Sequence, residues 1–276
     1  MLSRAMRIFL VRHGQSRSNV DWSENRRVPD HAIELSEEGH RQARACGAFL
    51  AEYFSEHLLA RHTAGSTLPL IRLWHSPHTR TRQTADGVVE TCRLPSQVTL
   101  VPSPGRGGET RTAHIPSQTR DGGASCFVDR KEHLLLAEQQ FGIFDGLDDT
   151  ERAERYPDFH AYYEKCKKFE GKLWPKMPLG ESRFDVCQRV HQAFGTFKRD
   201  EDMHGIENIV VVGHGTTNRA FVMMWLHLPY EWMHDEPNPN NASVRLIESG
   251  QDRGYIFPGF EDPRGGERSI TKETEE

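Results

Sequence analysis

Three short polar clusters in this 276-residue chain carry side chains able to do chemistry. Arg12-His13-Gly14 follows the apolar run Ile8-Phe9-Leu10-Val11. Ser76-Pro77-His78-Thr79-Arg80 follows Leu70–Trp74 and His75. Gly213-His214-Gly215 follows Ile209-Val210-Val211-Val212. Continuous apolar runs of this kind suit parallel strands buried on both faces. In an open parallel sheet the carboxyl ends of the strands face one crevice. Arg12, His13, Arg80 and His214 are therefore expected to converge on a small volume. Four potential cations in one pocket repel one another unless an anion neutralises them, and a dianionic phosphoryl group is the natural candidate. Arginine offers a planar fork of donors that suits phosphate oxygens. Glycine beside each histidine lets the backbone approach a ligand closely.

The rest of the sequence supplies elements to position these clusters. After Ser36, a suitable N-cap, Ala43, Cys46, Leu50, Tyr53 and Phe54 recur at helical spacing. Thr81, Ala85, Val88, Val89 and Cys92 do the same, as do Phe184, Val190, Ala193, Phe194 and Phe197. Ala220–Leu228 reads as a buried helix closed by Pro229. Val98–Val101 reads as a further strand and Leu134–Leu136 as a short one. Strands alternating with helices predict an α/β fold: a three-layer sandwich with a mainly parallel central sheet and helices on both faces. The chain reads as a single domain over 1–276 with a core of about 7–250. A polar stretch between Ser103-Pro104-Gly105 and Asp121-Gly122-Gly123 reads as a surface insertion, about 103–133 with its flank. Residues 261–276 are acid-rich and read as a frayed, flexible tail.

Composition narrows the function classes. Lys plus Arg is 35 and Asp plus Glu is 40, a formal net charge of −5. Bulk positive charge thus offers no hold on nucleic acid or membrane, and neither is expected as a partner. Charged residues at 27% and aromatics at 9% argue against wholesale disorder. Five scattered cysteines without a CxxC pair argue against a disulfide framework or structural zinc and for a reducing compartment. No apolar run approaches ~18 residues, as a membrane-spanning helix needs. Only Met1–Met6 precede the first strand, too few for a secretory signal, so a cytoplasmic location is the expectation. Oligomeric state stays open.

Leu10-Val11-Arg12-His13-Gly14-Gln15-Ser16-Arg17-Ser18-Asn19 resembles the RHG-x-S-x-x-N signature of the histidine phosphatase superfamily, the phosphoglycerate-mutase-like proteins. Leu35-Ser36-Glu37-Glu38-Gly39 with Gln42-Ala43 resembles the start of that family's first helix. Ser76–Ala85 resembles its second arginine motif, and Glu138-Gln139-Gln140-Phe141-Gly142 its acidic motif. Gly180-Glu181-Ser182 and Gly213-His214-Gly215 complete the set in the family's order. The resemblance covers about 7–250 and implies a phosphoglycerate mutase-like fold.

It also implies roles. His13 would be the nucleophile that becomes a phosphohistidine, dividing one displacement into two easier ones. Its attacking nitrogen must be neutral, which a reference pKa of ~6.5 allows near neutral pH. Arg12, Arg80 and His214 would hold the phosphoryl oxygens, with Asn19 and Gly215 completing the substrate-binding set. Glu138 would be the general acid for the leaving oxygen and then the base that activates water. The family uses arginines where others use cations, so no metal and no cofactor are implied.

Other readings compete at each position. Arg82 rivals Arg80, and Glu132 and Asp145 rival Glu138. Asn19 could simply cap a turn. Arg17 and His78 are expected at the surface rather than at the pocket mouth. Lys165, Lys167, Lys168, Lys172 and Lys176 read as a solvated basic face.

The glycolytic mutases of the family follow the acidic motif with a Tyr-Gly-Gly-Leu-type run and a lysine. Here the run is Phe141-Gly142-Ile143-Phe144-Asp145-Gly146-Leu147-Asp148-Asp149, with no phenol at Phe141 and an acid, Asp149, near the lysine position. Arg152-Ala153-Glu154-Arg155 does not reproduce the paired arginines that follow. Reversing a charge there weakens the hold on phosphoglycerate. The Glu-Gln-x-Phe-Gly run and Asn238-Pro239-Asn240-Asn241 sit nearer the broad-specificity phosphatases. The expected function is a phosphomonoester hydrolase working on a small phosphorylated metabolite through a phosphohistidine. The alternatives are mutase-type phosphoryl transfer and a non-catalytic phosphate-binding module.

Overall fold

The computed structural model describes residues 6–59, 70–94, 124–127 and 129–263. The strand expected at Val98–Val101 and the 103–123 part of the insertion lie outside the described residues. In chain order the main elements are β1 (Arg7–Arg12), α1 (Glu37–Phe54), β2 (Leu70–His75), α2 (Thr79–Thr91) and β3 (Asp129–Glu132). There follow α3 (Pro157–Glu170), α4 (Arg183–His204), β4 (Ile206–Gly213), α5 (Gly215–Leu226), β5 (Val244–Glu248) and β6 (Gln251–Phe257). Six strands form one sheet in the order β3-β2-β4-β1-β5-β6. β3, β2, β4 and β1 run parallel, and β5 and β6 close the other edge antiparallel.

The apolar runs form central strands because both of their faces are covered. In β1, Ile8 and Leu10 point into a core that also holds Val190 and Phe197 of α4 and Phe221 of α5. Phe9 and Val11 point the other way, into a core with Leu50 and Phe54 of α1 and Val88 of α2. β4 alternates in the same manner, Ile209 and Val211 to one side, Val210 and Val212 to the other. Each fully buried aliphatic or aromatic side chain contributes about 1.5–3 kcal/mol of transfer free energy. The result is a three-layer α/β sandwich. Ser36 caps α1 by accepting from the Gly39 amide at 3.0 Å. Among the described residues no helix is long and apolar enough to cross a membrane.

Several local expectations need correction. Leu134–Leu136 is a 3-10 turn rather than a strand, with Leu134 71% exposed and only Leu136 fully buried. Asp129–Glu132, expected inside the surface insertion, is the edge strand β3, paired with β2 from Arg72↔Asp129 to His75↔Glu132. Its charged sequence hid it, yet charges are how an exposed sheet edge is protected. The ordered core also runs beyond 250, because β6 completes the sheet. The start of the acidic segment is not frayed. Phe260 bridges to Asn241, and Asp262 pairs with the buried Arg12.

Candidate active site

The parallel strands bring the polar clusters together as their register dictates. Arg12 lies opposite Gly213, and His75 opposite Val212, so His13, Ser76 and His214 emerge side by side. The His13 amide donates to the Gly213 carbonyl at 3.0 Å. The imidazoles of His13 and His214 have ring centroids 5.3 Å apart, and those of His78 and His214 are 4.7 Å apart. Arg12, His13, His78, Arg80 and His214 are all buried.

Protonation follows from this crowding. Burial first, then the charges of Arg80 and Arg12, hold the His13 imidazole well below the usual histidine range. Burial, Arg80, His78 and His13 do the same to His214. His78 is pushed down to about 4 by burial and Arg80, with Asp30 opposing. Three neutral imidazoles therefore share the pocket with two guanidiniums. His13 Nδ1 lies 2.7 Å from the Gly14 carbonyl, which can only accept, so Nδ1 carries the hydrogen and Nε2 carries the lone pair. The Ser76 hydroxyl accepts from the His78 amide at 3.3 Å and meets His214 Nε2 at 2.7 Å. The buried Ser76 hydroxyl reaches no other acceptor among the described residues, so its hydrogen goes to His214 Nε2 and the hydrogen of neutral His214 sits on Nδ1. Several side-chain atoms are buried without a hydrogen-bond partner among the described residues, and three of them, His214 Nδ1, His78 Nδ1 and Arg12 Nε, belong to these clusters. Buried polar atoms are nearly always satisfied, so unpaired ones beside each other suit a ligand with several oxygens.

Glu138 reaches the same crevice from the 3-10 turn. Its Oε1 accepts from the amides of Gln139 at 2.9 Å and Thr217 at 3.3 Å, and Oε2 from the Thr216 amide at 3.2 Å. The Thr216 and Thr217 amides are open donors of the first turn of α5, just beyond His214. Arg189 holds the turn from behind, donating to the carbonyls of Leu135 (2.8 Å), Ala137 (2.7 Å) and Glu138 (3.0 Å). It also pairs with Glu181 at 2.8 Å. Of the rivals of Glu138, Glu132 pairs with Arg82 at the surface, whereas Asp145 stands near the Asp30–Arg80 pair at the pocket's edge, its carboxyl held above the usual range by partial burial and by Asp30, with Arg80 opposing.

Asn19 and Gly215 carry local duties as well. Asn19 Oδ1 accepts from the Ser16 amide at 2.9 Å and completes the capping box of the turn Arg17–Val20. The missing Cβ of Gly215 leaves room for the exposed Asn238 amide, whose Oδ1 lies 2.0 Å from that position. At Gly14 the constraint is stricter, because a Cβ would stand 2.5 Å from the Gly39 carbonyl of the backbone at the start of α1.

Arg17 lies at the surface, paired with Glu34. His78, expected at the surface, is 8% exposed and packs on His214, because the turn after Pro77 folds inward over Ser76. Lys165, Lys168, Lys172 and Lys176 are exposed, and Lys167 pairs with Glu164.

Four residues that matter were missed from sequence. Ser76 sits inside the second arginine motif, whereas Arg189 lies in α4 beyond Gly180-Glu181-Ser182 and shows its meaning only through its pairing with Glu181. Asp30 and Asp262 carry no local signal. Asp30 pairs with Arg80 at 3.1 Å, and Asp262 pairs with Arg12 at 3.0 Å.

Residues 8–100 and 112–257 match the family model described as the histidine phosphatase superfamily (branch 1). The chain is 29% identical to phosphoglycerate mutase-like protein AT74 of Arabidopsis thaliana, across 90% of this chain and 66% of that protein's length. It is 25% identical to broad-range acid phosphatase DET1 of Saccharomyces cerevisiae, across 89% of this chain and 86% of that protein. Among solved structures, native mycobacterial glucosyl-3-phosphoglycerate phosphatase superposes with a TM-score of 0.58 at 21% identity, covering 94% of this chain and 99% of that one.

Proposed function

This chain belongs to the histidine phosphatase superfamily, branch 1, and from that membership we propose that it is a phosphomonoester hydrolase acting on a small phosphorylated metabolite through a phosphohistidine. The state of His13 carries the reading: a buried, neutral imidazole with Nδ1 tied to the Gly14 carbonyl and Nε2 free to attack. Arg12 and Arg80 supply the positive charge that draws the dianion in. His214 Nδ1 and Arg12 Nε offer its oxygens donors that nothing else satisfies. Asn19 Nδ2 and the Gly215 amide complete the cradle.

In the first step Nε2 of His13 attacks phosphorus, the bond from phosphorus to the ester oxygen breaks, and Glu138 gives that oxygen a proton. Positioning and charge do most of the work, as phosphoryl transfer requires. In the second step Glu138 takes a proton from water, the water oxygen attacks phosphorus, and the P–N bond returns its electron pair to Nε2. The arginines fill the place of a metal ion, so none is needed.

Hydrolysis is favoured over mutase transfer by the segment after the acidic motif. Where the glycolytic mutases carry a lysine this chain carries Asp149, exposed and paired with Arg152 at 2.8 Å, so that segment offers a substrate's second anion no free lysine. The broad-range acid phosphatase among the relatives supports the same reading.

The test is release of phosphate from p-nitrophenyl phosphate at mildly acidic pH in the presence of a chelator, followed by a panel of sugar phosphates, phosphoglycerates, nucleotides and phosphopeptides. Turnover is expected. No turnover on any monoester would leave a phosphate-binding module, and interconversion of phosphoglycerates faster than their hydrolysis would make the protein a mutase.

A further inference from the structure

Asp262 is separated from Arg12 by almost the whole chain, yet its carboxylate sits on two side chains assigned above to phosphate. Oδ2 accepts from Arg12 Nη2 at 3.0 Å and from Asn19 Nδ2 at 2.9 Å. The Asp262 side chain is 14% exposed and that of Arg12 6%. Two donors converging on one anionic oxygen is the arrangement a phosphoryl oxygen would occupy.

The backbone delivers the carboxylate deliberately. After β6, Phe260 and Asn241 exchange amide hydrogen bonds of 2.9 Å each way, and Asn240 Nδ2 donates to the Pro258 carbonyl at 3.1 Å. Gly259 turns the chain at φ 69°, where a Cβ would stand 2.4 Å from the Asn241 carbonyl. The strap is thus fastened to the segment that meets His13, since the Ala242 amide donates to the His13 carbonyl at 3.2 Å. Asp262 lies two residues past Phe260, whose bridge to Asn241 holds the strap independently of the Asp262 side chain.

We propose that Asp262 is an internal counter-ion that competes with the substrate's phosphoryl group for Arg12 and Asn19, and so sets the affinity of the site for substrate and for the phosphate it releases. The proposal rests on the assignment of Arg12 and Asn19 to phosphate. A buried guanidinium without an anion is costly, and Asp262 neutralises it between turnovers. A dianion arriving at the same donors meets a like charge, so the two exchange rather than coexist. Apparent affinity falls by the fraction of time the donors are open. Weaker product binding follows, which suits an enzyme that must discharge phosphate at every turnover.

The experiment compares wild type with Asp262→Asn, Asp262→Ala and, as a charge-matched control at an exposed neighbour, Glu261→Gln. Binding of inorganic phosphate is measured by calorimetry, with its inhibition constant and KM measured on p-nitrophenyl phosphate. Both Asp262 variants should bind phosphate more tightly, on the order of tenfold, with KM lowered in parallel and Glu261→Gln unchanged. Weaker or unaltered phosphate binding in folded Asp262 variants would show that Asp262 merely positions Arg12, and overturns the proposal. An equal effect from Glu261→Gln would also overturn it, because the cause would then be general charge rather than contact. Calorimetry needs no turnover, so a protein that hydrolyses nothing but binds phosphate more tightly as Asp262→Asn would separate this claim from the proposed activity.

Discussion

His13 and His214 stand edge to face with ring centroids 5.3 Å apart, at the ends of two parallel strands whose last residues, Arg12 and Gly213, are in register. Neither ring can carry charge easily, because burial and the arginines act on both. The pocket's positive charge therefore sits on its guanidiniums, each paired with a carboxylate, Asp262 or Asp30, while its imidazoles are neutral. That division lets one ring act as a nucleophile while the other donates a hydrogen bond.

The first prediction concerns pH. His13 and His214 have folded-state pKa values below the unfolded value of ~6.5. As pH falls through that value the unfolded chain takes up protons that the native pocket refuses. Stability is therefore lost on the acid side of ~6.5, by up to about 1.4 kcal/mol per pH unit for each histidine kept neutral. Nitrogen-detected NMR of ligand-free protein should show His13 neutral with its hydrogen on Nδ1 throughout the range where an ordinary histidine titrates. Unfolding measured in denaturant should have a shallower acid dependence in His13→Ala than in wild type. An imidazole that titrates near 6.5 would contradict the geometry.

Much of this was written in the sequence, for a physical reason. β1, β2 and β4 bury both faces, so Ile8–Val11 and Ile209–Val212 are apolar without interruption and the strand ends can be read directly. Arg80 could be told from Arg82 by its spacing from Ser76-Pro77, and Arg80 is buried while Arg82 pairs with Glu132 outside. Polar segments were harder. β3 reads Asp-Arg-Lys-Glu because it is an edge, and Leu134–Leu136 is apolar but turns instead of pairing. Asp30 and Asp262 were illegible, since their meaning arises only when residues distant in sequence meet Arg80 and Arg12.

Glu138 gives the second prediction. Its carboxylate is fixed by the amides of Thr216 and Thr217, so Glu138→Gln keeps the shape but can neither deliver nor receive the proton. Turnover of an alkyl phosphate, whose leaving oxygen needs that proton, should fall on the order of 10²–10⁴-fold. p-Nitrophenyl phosphate should lose less in the transfer step, because its leaving group departs unprotonated. KM should change little for both. Equal turnover of alkyl phosphate by wild type and Glu138→Gln would place the acid elsewhere.

The central claim is that His13 carries the phosphoryl group. Rapid acid-free quenching of the protein during turnover of ³²P-labelled substrate should trap label that is stable to alkali, lost in acid, and confined to the peptide containing His13. His13→Ala should show neither label nor turnover. Label on another residue, or wild-type turnover by His13→Ala, would contradict the account.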